Sequence, residues 1–326
     1  MTQAKANREP GVGPARRRNS AIFLVSEGHS VPFSKGLLAT TLTATGLAPE
    51  RAYEVAEGVE RRLLRRLTRE ATVEELRELV ETVLAAEGYE LYLRRYRLWN
   101  RLARQDKPIV IMIGGATGVG KSTIAAQVAD RLGVIRIIST DSIREVMRAF
   151  FSQRLMPAVH YSSYEAGTAV RIPLSSEFDH GLVGFMEQVD VVNVGLLAIL
   201  DRAIEERTSL VVEGVHVVPG MLADSGARER MSEVVLLAMV VAVSDPDLHR
   251  SHFLVREQET SGRRAIARYL KNFDEIRKIQ DFILERARAE GTLIIENVNI
   301  DETVNLVVDA LYDVIEKDAA RCASLT

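Results

Sequence analysis

The stretch Gly115-Ala116-Thr117-Gly118-Val119-Gly120-Lys121-Ser122 decides the fold, because it matches G-x-x-x-x-G-K-[ST] at every fixed position. Five apolar residues, 109–113, precede it as a candidate buried strand, and residues 124–132 follow with the spacing of an amphipathic helix that Gly133 ends. A strand, a glycine loop and a helix N-terminus together form an anion site, since the N–H groups of the loop turn toward phosphate. The sequence therefore predicts a phosphate-binding loop (P-loop).

This loop predicts a nucleoside triphosphate, ATP, as the ligand. Residues 115–122 together with Thr123 form the predicted cofactor-binding set. Lys121 is expected to reach the β- and γ-phosphates, and the hydroxyl of Ser122 is expected to hold Mg²⁺. What remains to be found is the acceptor of the phosphate.

Composition limits the remaining function classes. The chain has 326 residues, enough for two domains, and its net charge of −3 gives no electrostatic reason to expect nucleic acid as a partner. Cys322 is the only cysteine, which excludes an intramolecular disulfide and favours a reducing, cytoplasmic location. The longest apolar run, residues 234–243, is too short to cross a bilayer and is better read as a core strand. Whether the protein forms a homo-oligomer stays open at this stage.

Changes in composition along the chain indicate its domains. Residues 1–20 combine three arginines with Gly, Pro and polar residues and have no apolar segment, so we expect a disordered tail and no secretory signal. The polar residues 104–107 lead to Pro108, which disfavours helix just before the P-loop strand. We therefore predict a mainly helical domain over 21–103 and a second domain over 106–326.

The first of these domains carries clear local signals. Residues 22–25 and 31–33 flank a short polar turn and predict a small hairpin. Ser34 is expected to cap one helix and Pro49 to begin another, while Thr72 and Glu75 form a capping box at the start of a third. A fourth helix follows Gly88.

The second domain alternates strands and helices, which predicts an α/β fold with a parallel sheet covered by helices on both faces. Ligands in such sheets bind beyond the carboxyl ends of the strands. That rule brings Asp141, Glu213 and Asp245 to the same edge as the P-loop.

Three residues on that edge are candidates for the acceptor chemistry. Asp141 is expected to orient or deprotonate the acceptor hydroxyl, or to serve as the N-cap of a helix beginning at Ser142. Arg144, one turn later, is expected to bind an anionic acceptor or to pair with a surface carboxylate. Glu213 is expected to accept a hydrogen bond from Mg²⁺-bound water or to orient the acceptor, the alternative being a buried structural carboxylate. Of the nearby His216, a structural role is the more common one for a lone histidine.

A basic helical stretch over 250–278 predicts a mobile lid. Ser261 and Gly262 interrupt it, and a hinge beside paired arginines suits a segment that closes over phosphates and excludes water. The predicted substrate-binding residues, besides Arg144, are the arginines that flank this hinge: Arg256, Arg263 and Arg264.

The first domain resembles the ATP-cone, a small helical nucleotide-binding module, through Val31-Pro32-Phe33-Ser34-Lys35, residues 52–56 and 75–80, and Gly88-Tyr89. The resemblance implies a Lys-Arg pair on the first strand, but Ser26-Glu27 stand there, so Lys35 is the remaining cation of that set. Two roles are open for this module: a degenerate structural one, or a regulatory nucleotide site. The predicted fold is thus a P-loop kinase-type sheet with an ATP-cone-like N-terminal domain.

The whole pattern after residue 20 resembles the 2-phosphoglycerate kinases. The matching stretches, besides the P-loop, are 140–148, 162–164, 212–220 and 268–277. The resemblance implies phosphorylation of 2-phosphoglycerate, a small anionic substrate, to 2,3-bisphosphoglycerate with ATP and Mg²⁺ and release of ADP. Two alternatives remain: a kinase for another phosphorylated polyol or an inositol phosphate, and a non-catalytic ATP-sensing regulator.

Overall fold

The computed structural model describes residues 22–26, 29–65, 70–105, 107–171, 178–221, 230–259 and 266–323. The chain divides into two compact units, one containing the residues up to 39 together with 48–93, and the other containing 40–47 and everything from 94 onward. The predicted N-terminal tail lies outside the described residues.

The first unit combines a small sheet with helices. Strand β1 pairs antiparallel with β2, as the predicted hairpin requires, and parallel with β3. The Oγ of Ser34 accepts a hydrogen bond from the N–H of Leu37 at 3.3 Å, and Thr72 and Glu75 form the reciprocal capping box. The bounds are β1 Phe23–Ser26, β2 His29–Pro32, α1 Lys35–Ala44, α2 Pro49–Leu64, β3 Glu70–Thr72, α3 Val73–Ala86 and α4 Glu90–Gln105.

Most of α4 belongs to the second unit, although the sequence prediction assigned this helix to the first domain. Arg95 donates to Asp309 at 2.8 Å, and Arg94 pairs with Glu316. These charge pairs attach the first half of α4 to the last helix of the chain.

The second unit contains a sheet of five strands, all parallel, in the order β5-β6-β4-β7-β8. Its fold is the predicted α/β fold. The bounds are β4 Ile109–Gly114, α5 Lys121–Leu132, β5 Arg136–Ser139, α6 Thr140–Phe150, α7 His180–Glu205, β6 Leu210–Glu213, β7 Val235–Ala242, α8 Pro246–Glu259, α9 Ile266–Lys271, α10 Phe273–Ala289, β8 Leu293–Glu296 and α11 Ile300–Ala323. Between α6 and α7 the chain makes two short 3₁₀ helices, Pro157–His160 and Ser163–Ala169.

Strand β4 is buried along its whole length, because helices cover both faces of the sheet. Ile111 and Ile113 point into one apolar core, which α5, α10 and α11 help to form, while Val110 and Met112 point into the other, beneath α6 and α7. The alternation follows from the two-residue period of a strand. This packing fixes the end of β4, and hence the position of the P-loop.

Helix α7 is, among the described residues, the one helix that is long and apolar enough to cross a membrane by length and composition alone. A third of its most apolar window is buried. Phe185 and Val189 join the first core, whereas Val192, Leu196 and Leu200 join the second. The helix is therefore part of the packing of the second unit.

Candidate active site

The P-loop runs from the end of β4 to the start of α5, as the motif predicts. Gly115, Gly118 and Gly120 have φ of +139°, +91° and +90°, a region that residues with a Cβ rarely adopt. A Cβ on Gly118 would also lie 2.4 Å from Cζ of Phe253. Backbone conformation and close packing therefore both require glycine at this position.

Lys121 is the first residue of α5 and is buried. Its Nζ donates to the carbonyl oxygen of Ala116 at 2.6 Å, so the ammonium lies over the P-loop backbone. The side chains of Ser122 and Thr123 are exposed at the helix N-terminus. The loop thus offers a cation, two hydroxyls and the positive end of a helix dipole to a polyphosphate.

Three side chains hold the outward-facing carbonyl groups of this loop. Nε2 of His249 lies 2.8 Å from the oxygen of Thr117, Nδ1 of His252 lies 3.0 Å from that of Gly118, and Nδ2 of Asn297 donates to that of Val119 at 2.9 Å. A carbonyl oxygen only accepts, so each of these ring nitrogens carries a hydrogen. Burial is the main cause that lowers the pKa of His249 to about 4, so its ring is neutral near pH 7.

We call His249, His252 and Asn297 the carbonyl clasp. The sequence prediction missed it. The two histidines are three residues apart and so share a helix face, but that spacing alone does not indicate what the face contacts.

A cavity of about 520 Å³ opens beside the P-loop. It is lined by the loop and the start of α5 on one side, and by His252 and the residues between β8 and α11 on the other. The residues from the latter connection are Asn297, Val298, Asn299, Ile300 and Asp301. A cavity of this size is within the usual range for small-molecule sites.

Asp141 lies in the first turn of α6, and its carboxylate is 69 % exposed. The expectation that it caps a helix starting at Ser142 is wrong, because α6 begins at Thr140 and its N-cap residue is Ser139. Arg144 approaches the same carboxylate, with Nε 3.4 Å from Oδ1 of Asp141. The carboxylate of Asp141 is thus accessible from solvent and has a guanidinium beside it.

Arg144 itself is held firmly. Its side chain is only 13 % exposed, Nη1 donates to the carbonyl oxygen of Val159 at 3.1 Å, and Nη2 donates to Glu145 at 2.7 Å. The structure thus shows the predicted pairing with carboxylates, whereas binding of an anionic acceptor by Arg144 stays a prediction.

Glu213 ends β6, level with Ile113 of β4 and Ser139 of β5. It is 7 % exposed, and its carboxylate makes no hydrogen bond or ion pair with another residue in the part of the chain that the structure describes. Asp245, predicted for the same edge, instead accepts a hydrogen bond from the N–H of Asp247 at 2.9 Å at the start of α8.

His216 lies beneath this edge and is fully buried. The pKa of His216 is lowered to about 4, first by burial; the charges of Arg144 and Lys121 lower it further, whereas that of Asp141 raises it. These three predicted site residues thus lie within electrostatic range of one imidazole. Thr140, which directly precedes Asp141, lies 2.9 Å from Nδ1 of His216, and His216 itself has no exposed surface.

The predicted lid lies largely outside the described residues. This holds for Arg263, Arg264 and the hinge, whereas Arg256 is part of α8 but its side chain is not described. Neighbouring basic residues that are described bind within the protein: Arg268 pairs with Glu165, and Arg277 donates to the carbonyl oxygen of Val243 at 2.6 Å. The assignment of the three lid arginines to the substrate stays a prediction.

In the first unit, Lys35 is engaged by other side chains. Its Nζ lies 3.2 Å from Oε2 of Glu60 and 4.8 Å from the centre of the Tyr53 ring. Hydrogen bonds to Tyr53 and Glu60 raise the pKa of Lys35. Glu60 therefore balances the charge of Lys35, the remaining cation of the expected phosphate-binding set. Ser26, which stands where the resemblance implies a cation, ends β1.

Two family models match parts of this chain. The family model of the ATP cone domain matches residues 25–105, and that of the zeta toxin matches residues 96–172. A gluconokinase from Sinorhizobium meliloti, 16 % identical, aligns over 66 % of this chain and 97 % of its own length with a TM-score of 0.40.

Several curated relatives match over nearly their whole length. The 2-phosphoglycerate kinase of Methanothermobacter thermautotrophicus is 39 % identical over 299 residues, which cover 91 % of this chain and 96 % of the relative. The 2-phosphoglycerate kinase of Thermococcus kodakarensis is 38 % identical over 287 residues, covering 88 % and 95 %. This chain belongs to the 2-phosphoglycerate kinase family.

Proposed function

We propose that this protein transfers the γ-phosphate of ATP to the 3-hydroxyl group of 2-phosphoglycerate, which yields 2,3-bisphosphoglycerate and ADP. The observation that carries the proposal is one carboxyl edge of the sheet, where the P-loop with Lys121 follows β4, Glu213 ends the adjacent β6, and Asp141 comes just after β5. Membership of a family whose relatives are named for this activity supports the acceptor. The reducing cytoplasm is the compartment that we propose for it.

ATP contacts two regions of the protein. Its phosphates lie on the P-loop, where Lys121 exchanges its contact with the carbonyl oxygen of Ala116 for the β- and γ-phosphates. Its nucleoside occupies the cavity of about 520 Å³ beside the loop, between His252 and Val298. The carbonyl clasp keeps the loop's carbonyl oxygens turned away, so that its N–H groups face the phosphates.

The residues present fit Mg²⁺. Mg²⁺ keeps several waters and is bound through few protein oxygens plus substrate phosphates. Among the described residues no three His, Cys, Asp or Glu side chains converge as a metal site, but the exposed hydroxyl of Ser122 and the unpaired carboxylate of Glu213 are donors of the expected kind. Ser122 would ligate the ion and Glu213 would accept from its water; when bound, Mg²⁺ neutralises charge on the β- and γ-phosphates.

Asp141 deprotonates the acceptor. As the 3-hydroxyl oxygen bonds to the γ-phosphorus, the bond from that phosphorus to the β,γ-bridging oxygen breaks, and the electron pair leaves with ADP. The hydroxyl proton passes to the carboxylate of Asp141. Arg144 holds that carboxylate and one anionic group of the acceptor, and the lid arginines Arg256, Arg263 and Arg264 bind the others.

Release of ADP from Mg-ATP tests this proposal. We expect turnover that depends on 2-phosphoglycerate and is absent with glycerate, which lacks the phosphate. 3-Phosphoglycerate and a set of inositol phosphates complete the panel, with product masses recorded for each. Turnover with an inositol phosphate but none with 2-phosphoglycerate would replace the proposed acceptor, and nucleotide binding without any acceptor-dependent turnover would leave a sensor.

A further inference from the structure

A chain of buried hydrogen bonds runs behind the proposed acceptor site. Oγ1 of Thr140 lies 2.9 Å from Nδ1 of His216, and Nε2 of His216 lies 2.9 Å from Oε1 of Gln188. Nε2 of Gln188 then donates to the carbonyl oxygens of Ala158 at 2.7 Å and Tyr161 at 3.0 Å. Thr140, His216 and Gln188 are each fully buried.

The direction of every bond in this chain follows from the donors available. The amide nitrogen of Gln188 uses both hydrogens on two carbonyl oxygens, so its Oε1 can only accept. Nε2 of His216 therefore carries a hydrogen, and in the neutral imidazole Nδ1 accepts from the hydroxyl of Thr140. With the imidazole neutral, no second arrangement of the hydrogens satisfies all five groups, so these hydrogen bonds have one direction.

The two ends of the chain lie at parts of the site that are far apart in sequence. Thr140 directly precedes Asp141 at the start of α6, whereas Ala158 lies within the 3₁₀ helix Pro157–His160 and Tyr161 directly follows it. Arg144 makes a second link between the same two elements through the carbonyl oxygen of Val159. Two independent polar contacts thus join the Asp141 turn to this segment.

The backbone around the chain is adapted to it. Gly214 has a φ of +154°, and a Cβ there would lie 1.8 Å from Oγ1 of Thr140. The glycine lets the threonine hydroxyl pass close to the end of β6 and reach His216. Apolar side chains of the same shape could fill this space at little cost in stability, but they would not select one orientation.

We propose that His216 and Gln188 are positioning residues for the phosphoryl acceptor, which hold the Asp141 turn and the segment 157–161 in register as two walls of one site. The proposal rests on the proposed function, since the acceptor is 2-phosphoglycerate. In this proposal the hydrogen bonds of Thr140, His216 and Gln188 control the affinity and orientation of the acceptor. The carbonyl clasp instead positions the P-loop for ATP.

The kinetic test compares Gln188→Leu with a matched control, Gln280→Leu. Gln280 is also a buried glutamine, and it makes two hydrogen bonds with the backbone of Val243. Its Oε1 accepts from the N–H at 3.2 Å, and its Nε2 donates to the carbonyl oxygen at 3.0 Å. Gln280 lies on α10 and has no hydrogen bond to a proposed site residue. We expect Gln188→Leu to lower kcat/KM for 2-phosphoglycerate at least about tenfold while the KM for ATP changes less than about twofold. Gln280→Leu should lose comparable thermal stability and keep both constants.

An equal loss for both substrates in Gln188→Leu, or unchanged kinetics, would overturn the positioning role.

Hydrogen exchange read by mass spectrometry provides a test that needs no substrate. We expect faster exchange in both 140–144 and 157–161 for Gln188→Leu and for His216→Phe, with no change there for Gln280→Leu. Unchanged exchange would refute the coupling, even if the wild-type protein proves inactive on 2-phosphoglycerate and the proposed function fails.

Discussion

Acidification should lower the free energy of unfolding of this protein by a predictable amount, because His216 is buried in its neutral form. The imidazole is fully buried, and its pKa is lowered from 6.5 to about 4, chiefly by burial. Between those two values the unfolded chain binds a proton that the folded protein does not. The contribution to stability is therefore fully present above pH 6.5 and is lost as the pH falls toward 4.

The size of the effect follows from the shift. Each pKa unit corresponds to roughly 1.4 kcal/mol, so this histidine alone should lower the free energy of unfolding by about 2 kcal/mol between pH 7 and pH 5. His249, with its pKa also lowered to about 4, adds a second contribution of the same sign. A variant at His216 separates the two.

Urea unfolding of the wild type and of His216→Asn, measured at intervals from pH 7 to pH 5, isolates the contribution of His216. Asparagine does not titrate, and its side-chain oxygen can still accept from Thr140. We expect the stability difference between the two proteins to shrink by about 2 kcal/mol over this range. Parallel curves, with a constant difference, would refute the assignment of a buried neutral imidazole.

Three further predictions concern the site and the first unit. Lys121→Ala should abolish ATP turnover while the circular dichroism spectrum and the unfolding midpoint stay close to wild type, because the ammonium donates to the carbonyl oxygen of Ala116 within the P-loop. Asp141→Asn should lower kcat by a factor on the order of a hundred or more with ATP binding little changed, and wild-type kcat would exclude its role as the base. Because Glu60 balances the charge of Lys35, calorimetry should give one ATP per wild-type chain and none for Lys121→Ala. Two sites in the wild type, one of which remains in Lys121→Ala, would assign a nucleotide site to the ATP-cone domain.

Features governed by local rules could be predicted from the sequence. The P-loop needs glycines at positive φ next to a buried strand, and both signals are contiguous in the chain. The capping box of Thr72 and Glu75 likewise involves residues three apart. In each case the interaction that stabilises the element lies within a few residues of it.

The start of α6 shows where local rules mislead. Asp141 looks like a helix cap because aspartate is favoured there. Thr140, however, is drawn into the helix by burial and by its bond to His216, which lies 76 residues later. A tertiary contact thus accounts for the helix start at Thr140, and the carboxylate of Asp141 stays exposed.

The carbonyl clasp and the Thr140–His216–Gln188 chain could not be predicted at all. His249 lies 132 residues from Thr117, and Asn297 lies 178 residues from Val119. Their roles depend on which helix covers which strand end, and periodicity alone carries no such information. The basic run over 250–278 was only partly informative for the same reason, because Arg268 and Arg277 bind partners elsewhere in the fold.

Phosphorus NMR of the reaction with Mg-ATP and 2-phosphoglycerate tests the central claim most directly. We expect the appearance of the β-phosphorus signal of ADP together with two equal phosphomonoester signals, from the 2- and 3-phosphates of one glycerate, and no such product signals with Lys121→Ala. A product that carries its new phosphate anywhere other than the 3-oxygen, or release of inorganic phosphate with 2-phosphoglycerate unchanged, would contradict it.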